Sequence, residues 1–408
     1  MRRFWILAVA LGCALAPAAR GWAAEERKVF DWKLNGAYHK AAAERATEDG
    51  SGDDDDSPTL ARLRAGVTLA PWEVFRAEAA YEMNWFWVEN IAGTGYADPQ
   101  RVTALRLDDI HRDVSSGEDR LVTQNLDRLN FRGRFGDGTV VTLGRQAISH
   151  GSGRFFNPTD IFAPVSPHST YSEYKNGVDA LRLDVPFGEK ARGEIWAVAH
   201  EDGAEKSYYL ARGEVLLPGV SISGYGGATL GEATGALDFS GPFFGAEWHL
   251  EGVMRFDEPP SRSLRAAGGL HHRFPFKLNT LAEVHFNGVG RSDPEEYPLV
   301  RETREFRNGE IFLLGRWYSV VSADFEPLPL LTAGISWTQN LEDGSALLQP
   351  SVSWAAMEML TVRVGVSKGY GEPPEEPPVG ATANLAPVPR SEFGSYSEMV
   401  YGEVTFNF

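Results

Sequence analysis

The chain has 408 residues, a formal charge of −17 and a single cysteine, Cys13. No basic tract interrupts that acidity, which excludes nucleic acid as a partner, and no apolar run is long enough to cross a membrane as a helix. The 11 Trp, 13 Tyr and 23 Phe are spread through a chain of ordinary hydropathy, as they are when strands alternate apolar and polar residues.

At the N-terminus, Arg2 and Arg3 precede an apolar run from Phe4 to Ala16, and small residues lead to a cleavage position after Ala23. Residues 1–23 therefore match a secretory signal peptide. Ala10-Leu11-Gly12-Cys13 also resembles a lipoprotein signal. Cleavage after Ala23 leaves 24–408 without cysteine, so one domain crosses an oxidising compartment without disulfides.

Alternation begins at once. Phe30, Trp32, Leu34 and Tyr38 alternate with Asp31, Lys33, Asn35 and Ala37. The same pattern recurs from Leu360 to Ser367 and again in Val400, Gly402, Val404, Phe406 and Phe408. A period of two gives each strand one apolar and one polar face. The connections distinguish a soluble sandwich from a membrane barrel. Tight turns (Ala70-Pro71, Gly136-Asp137-Gly138, Leu217-Pro218, Pro275, Glu326 to Pro329) alternate with long polar segments near 40–58, 88–120, 148–174, 288–308 and 370–395. Short turns at one end and long loops at the other predict an all-β fold, a transmembrane antiparallel up-and-down β-barrel over 24–408. Eighteen strands fit between the connections, and 16 if residues 234–240 are dropped with one neighbour. Such a barrel encloses water. Trp72, Trp85, Trp87, Trp317, Trp337 and Trp354 suit girdles at the two membrane interfaces.

The first long loop holds the acidic run from Glu48 to Asp56. It reads as a solvated loop, or as one that bridges lipopolysaccharide phosphates through divalent ions, although it lacks the ligand spacing of an EF-hand. With the lipid face fixed by apolar residues, the early strands turn Arg62, Arg64, Arg76, Arg128, Arg132, Arg134 and Arg182 to the lumen, with Glu78, Glu82 and Asp184. Later strands contribute Glu194, Glu214, Glu247, Glu251, Glu283, Asp324 and Glu403, with Arg212, Arg316 and Arg363. Either these charges select permeants by sign, or they pair off within the wall, as Arg76 would with Glu78 or Glu82.

The densest segment runs from Leu143 to Gly177 and includes the third external loop. Phe155, Phe156, Ile161 and Phe162 are too apolar for a solvated loop, and Asn157-Pro158-Thr159-Asp160 reads as a tight turn. The expectation is a loop folded toward the lumen as a constriction, with Arg145 and Arg154 close to the narrowest point. Ser149, His150 and Ser152 lie together, but no G-x-S-x-G elbow accompanies them. His271 and His272 are neighbours on a strand and cannot share a metal site. No enzyme, metal or cofactor is expected.

Gly144-Arg145-Gln146 and the run from Gly151 to Asp160 resemble a stretch of porin-like outer-membrane barrels, nearest to the alginate-export type, which are 18-stranded channels with an arginine-rich lumen. Phe408 resembles the terminal signal read by barrel-assembly machinery. The resemblance implies a passive channel for small hydrophilic solutes, anions or acidic saccharides among them. It also implies contact with outer-membrane lipid and lipopolysaccharide. The many lumen acids depart from a strongly electropositive tunnel. The alternative is a structural or ligand-binding barrel closed by its loops, without transport.

Overall fold

A computed structural model describes residues 29–44, 55–56, 58–87, 104–107, 112–116, 120–164, 166, 168–170, 174–375 and 388–408. Residues 1–23, where the sequence suggests a signal peptide, and most of the acidic run lie outside the described residues.

The inner-outer alternation organises the chain into one closed antiparallel barrel of 18 strands. The first six are β1 (Phe30–Glu44), β2 (Thr59–Trp72), β3 (Phe75–Trp87), β4 (Arg120–Phe135), β5 (Thr139–Gln146) and β6 (Val178–Phe187). They are followed by β7 (Ala191–Val198), β8 (Tyr208–Leu217), β9 (Val220–Thr229), β10 (Glu232–Phe243), β11 (Ala246–Arg255) and β12 (Arg265–Arg273). The last six are β13 (Leu278–Asn287), β14 (Trp317–Leu328), β15 (Leu331–Asn340), β16 (Ala346–Met357), β17 (Leu360–Tyr370) and β18 (Glu398–Asn407). Two short strands, Asp55–Asp56 and Arg112–Ser116, pair with the ends of β1 and β4.

The barrel closes where β1 meets β18, in register from Asn35 opposite Asn407 to Glu44 opposite Glu398. Leu34 and Phe408 exchange both backbone hydrogen bonds, at 3.1 and 2.8 Å. Closure removes the free edges that an open sheet would expose. The burial pattern is inverted relative to a soluble protein. Leu250 is 54% exposed on the outside while its neighbour Glu251 is 2% exposed inside, and Val284 and Glu283 repeat the contrast at 47% and 2%. Trp32, Trp72, Trp87, Trp317, Trp337 and Trp354 are exposed on the outer face, where aromatic side chains meet membrane interfaces.

All eight connections at one end span two to four residues. Gly219 and Gly245, with φ of 79° and 84°, allow two of these turns to reverse within two residues. The other end carries the connections 45–58, 88–119, 147–177, 288–316 and 371–397, alongside a two-residue turn at Leu230-Gly231. Two boundaries depart from the sequence reading. β1 runs on to Glu44, and the long segment read near 288–308 extends to Arg316, so that β14 begins at Trp317. The apolar run Ile311 to Leu314 looked like strand, but its buried side chains pack within loop clusters that also hold Tyr297 and Val300 or Phe156 and Phe393.

One irregularity matters for the interior. Between β3 and β4 the register slips, so that Ala80 faces Arg128 while Tyr81 faces Leu126. Asp127 is the extra residue of a β-bulge. The bulge lets the adjacent Asp127 and Arg128 both reach inner-face partners.

Candidate functional site

The inner face of β2 to β6 gathers most of the sequence-predicted arginines. Arg76 and Arg132 are direct cross-strand partners, and Thr142 of β5 links Arg132 to Arg182 of β6 along the same row. Near the short-turn end, a cavity of about 530 Å³ is lined by Arg76, Arg128, Arg132, Arg134 and Arg182, with Arg192 beside them. These cations are not equivalent. Arg64 and Arg128 pair with Asp127 at 2.6 and 2.7 Å. Arg182 pairs with Asp184 and Glu194 at 2.7 and 2.9 Å. Arg62 and Arg64 also lie over the Tyr174 ring, 5.1 and 4.4 Å from its centroid. Arg76 does not pair with Glu78 or Glu82. Its cross-strand neighbour is a second arginine, and Glu82 accepts instead from Asn84 at 3.0 Å.

Segment 147–177 is held by side chains from distant strands. Glu251 of β11 accepts from the backbone N–H groups of Ser152 and Gly153 at 2.8 and 3.1 Å. Glu283 of β13 accepts from Arg154, Phe155 and Phe156 at 3.0, 3.2 and 2.8 Å. Two carboxylates thus satisfy five consecutive donors that a loop would otherwise bury unpaired. Glycine is required here. A Cβ on Gly151, which has φ 98°, would meet Asn157 Oδ1 at 2.1 Å, and one on Gly153 would meet the Phe156 carbonyl oxygen at 2.0 Å. Tyr225 of β9 donates to the Thr159 carbonyl at 2.9 Å. Gln349 of β16 and Arg363 of β17 donate to the carbonyls of His168 and Thr170 at 3.1 and 3.0 Å.

The apolar residues of the segment bury as the sequence requires. Ile161 and Phe162 pack with Trp196, Tyr208 and Tyr225 from β7, β8 and β9, while Phe156 stacks on His285, ring centroids 5.0 Å apart. Asn157 donates to the His150 carbonyl at 2.9 Å and accepts from Thr159. Asp160 pairs with Lys175. Burial raises the Asp160 carboxyl, opposed by Lys175, and burial lowers the Lys175 ammonium. Arg154 reaches Glu247 at 2.5 Å, but both side chains are about half exposed, so the pair adds little to stability. Arg145 lies in β5 and not in the loop. It forms a bidentate pair with Asp179 at 2.9 Å and donates to the Leu126 carbonyl, so its guanidinium ties the wall together. His150 is pushed down to about 3 by burial and by Arg212, whose Nε donates to His150 Nδ1 at 3.0 Å. His150 Nδ1 therefore accepts from arginine, whereas a triad histidine donates from Nδ1 to a carboxylate, and among the described residues no carboxylate bonds to it.

Two further networks anchor two of the other long loops. Glu310 of 288–316 accepts from Arg255, Arg265 and Tyr208 at 2.7, 2.9 and 2.9 Å. Burial raises its carboxyl, but Arg255 and Arg265 more than offset this and hold it below the usual range. Glu392 of 371–397 accepts from Tyr318, from Leu314 N–H at 2.9 Å and from Asn340 at 2.9 Å, and burial pushes it up to about 7. The sequence reading missed Asp127, Tyr174, Glu310 and Glu392. Asp127 alone left a local signal, because Leu126 and Leu129 are three apart where strict alternation needs two.

No protein-family model matches this sequence, and no curated protein is detectably similar to it. Solved structures are similar in shape. OccK7 (OpdD) of Pseudomonas aeruginosa aligns with a TM-score of 0.50 at 10% identity, covering 93% of this chain and 98% of that one. A porin of Rhodopseudomonas blastica aligns at 0.47 and 10% over 93% and 100%, and OprB of Pseudomonas putida at 0.43 and 11% over 93% and 92%. The likeness is one of fold. At these identities it says nothing of solutes.

Proposed function

We propose that this chain is a passive outer-membrane channel for small hydrophilic solutes, with a preference for anions. The carrying observation is the closed barrel with an exposed apolar exterior and a polar interior, whose β2–β6 wall concentrates arginine. In this reading the short turns face the periplasm, and segment 147–177 crosses the lumen. Its bonds to β9, β11, β13, β16 and β17 support that course, which would leave the water path against the arginine wall. Charge lining a narrow, low-dielectric path acts on permeants by sign. Acidic saccharides rest on the resemblance of residues 144–160 to alginate-export channels. Residues 1–23 would direct export, and Phe408 at the closing seam would engage assembly machinery.

Reversal potentials in planar bilayers test the reading. Anion selectivity is expected, and Arg132→Glu should reduce it. Cation selectivity unchanged by that substitution would overturn the preference. The extent of loop anchoring, through Glu251, Glu283, Glu310 and Glu392, favours one rival: a barrel sealed by its loops, which predicts no channel openings.

A further inference from the structure

We propose that Arg76, Arg132 and Arg134 form a binding site for a compact oxyanion carrying two or more charges, at the short-turn end of the lumen. Ion pairing sorts the cations of that cavity. Arg128 and Arg182 are neutralised by Asp127, Asp184 and Glu194, and Arg192 pairs with Glu194 and Glu214 at 3.2 and 3.0 Å. Arg76, Arg132 and Arg134 have no ion-pair or hydrogen-bond partner for their guanidinium groups among the described residues, and all three are solvent-exposed in the lumen. Glu78, a carboxylate of the cavity that forms no ion pair among the described residues, cannot neutralise three cations.

The arrangement opposes stability. Arg76 and Arg132 face each other across the strand pair, where side chains start about 5 Å apart and like charges repel. Arg134 lies two residues along the same face, about 7 Å further. Elsewhere on this wall a nearby acid relieves such crowding. Here the one nearby acid, Glu78, forms no ion pair with any of the three, and the cavity of about 530 Å³ is open to a solute. Three guanidinium forks matched by no protein acid suit the several oxygens of a phosphate or a small dicarboxylate, which each fork can engage through paired N–H donors. A monovalent ion would satisfy only one of them.

The site rests on the channel reading only for its place on a solute path, and binding to the detergent-solubilised full chain is measured independently of transport. The probe is inorganic phosphate, compared with sodium chloride at equal ionic strength. Phosphate should raise the thermal midpoint of the full chain more than chloride does, because a ligand that binds only the folded state stabilises it. Arg76→Gln and Arg132→Gln should each weaken phosphate binding about tenfold, the scale of one lost charge-assisted contact. Arg76→Gln should also raise the midpoint without phosphate, by removing the cross-strand repulsion, so weakened binding is not confused with misfolding. Lys206→Gln, an equal charge change on the 199–207 connection, should leave phosphate binding unchanged. Equal effects of phosphate and chloride, or undiminished binding in both arginine variants, would overturn the site. Phosphate binding by a barrel that shows no anion selectivity would uphold the site and overturn the transport preference.

Discussion

Glu283 illustrates how one side chain organises a loop. Its carboxylate serves three successive N–H groups, Arg154 to Phe156, from 127 to 129 residues away in sequence. Glu283→Gln keeps the shape but replaces an anionic acceptor by an amide, and hydrogen bonds to charged groups contribute about 1.5–3 kcal/mol each. Faster amide exchange at residues 154–156, by about tenfold or more, is the expected outcome. Glu392 gives a pH dependence. Its folded value, about 7, lies above the ordinary 4.5, so the loop it anchors favours the protonated acid. That contribution is complete below the ordinary value and is lost as pH rises through about 7. Protection of Phe393 and Gly394 in amide exchange should therefore fall between about pH 5 and about pH 8, and Glu392→Gln should abolish the change. Neither contact was visible in the sequence, because each joins a loop to a strand or loop far along the chain.

At the scale of strands, local pattern carried most of the fold. The short segment 234–240, the least secure strand by pattern, is the middle of β10, a full 12 residues from Glu232 to Phe243. Alternation succeeds wherever one face meets an apolar exterior and the other a polar lumen, since a one-residue slip would exchange the two. It failed at residues 310–316 for a physical reason: an apolar run packed into a loop cluster obeys no period. It also failed at Asp127, where a bulge adds a residue and two neighbours face inward. The bulge is testable. Deleting Asp127 removes the extra residue and the acid shared by Arg64 and Arg128, leaving both cations in the lumen wall without it. Heat-modifiable gel mobility should show a lower unfolding temperature for this variant. The segment from Ser149 to Ser169 is the other element to remove. If it narrows the lumen as proposed, its deletion should raise single-channel conductance several-fold, since its anchors reach β9, β11, β13, β16 and β17.

The whole molecule combines a seam that closes the sheet with loops that tie one part of the wall to another. Segment 147–177 leaves β5, bonds to strands a third of the circumference away in one direction and to β16 and β17 in the other, and returns to β6. Loops 288–316 and 371–397 add bonds to β8, β11 and β12 and to β14 and β15. A barrel without such ties is a thin shell, free to flatten into an oval without breaking any strand pairing. If segment 147–177 crosses the lumen as proposed, it acts as a chord across a hoop, and flattening along it would pull Glu251 and Glu283 away from backbone donors. Loops tied to the wall in this way should melt with the barrel in one transition, where an untethered surface loop would open far below it.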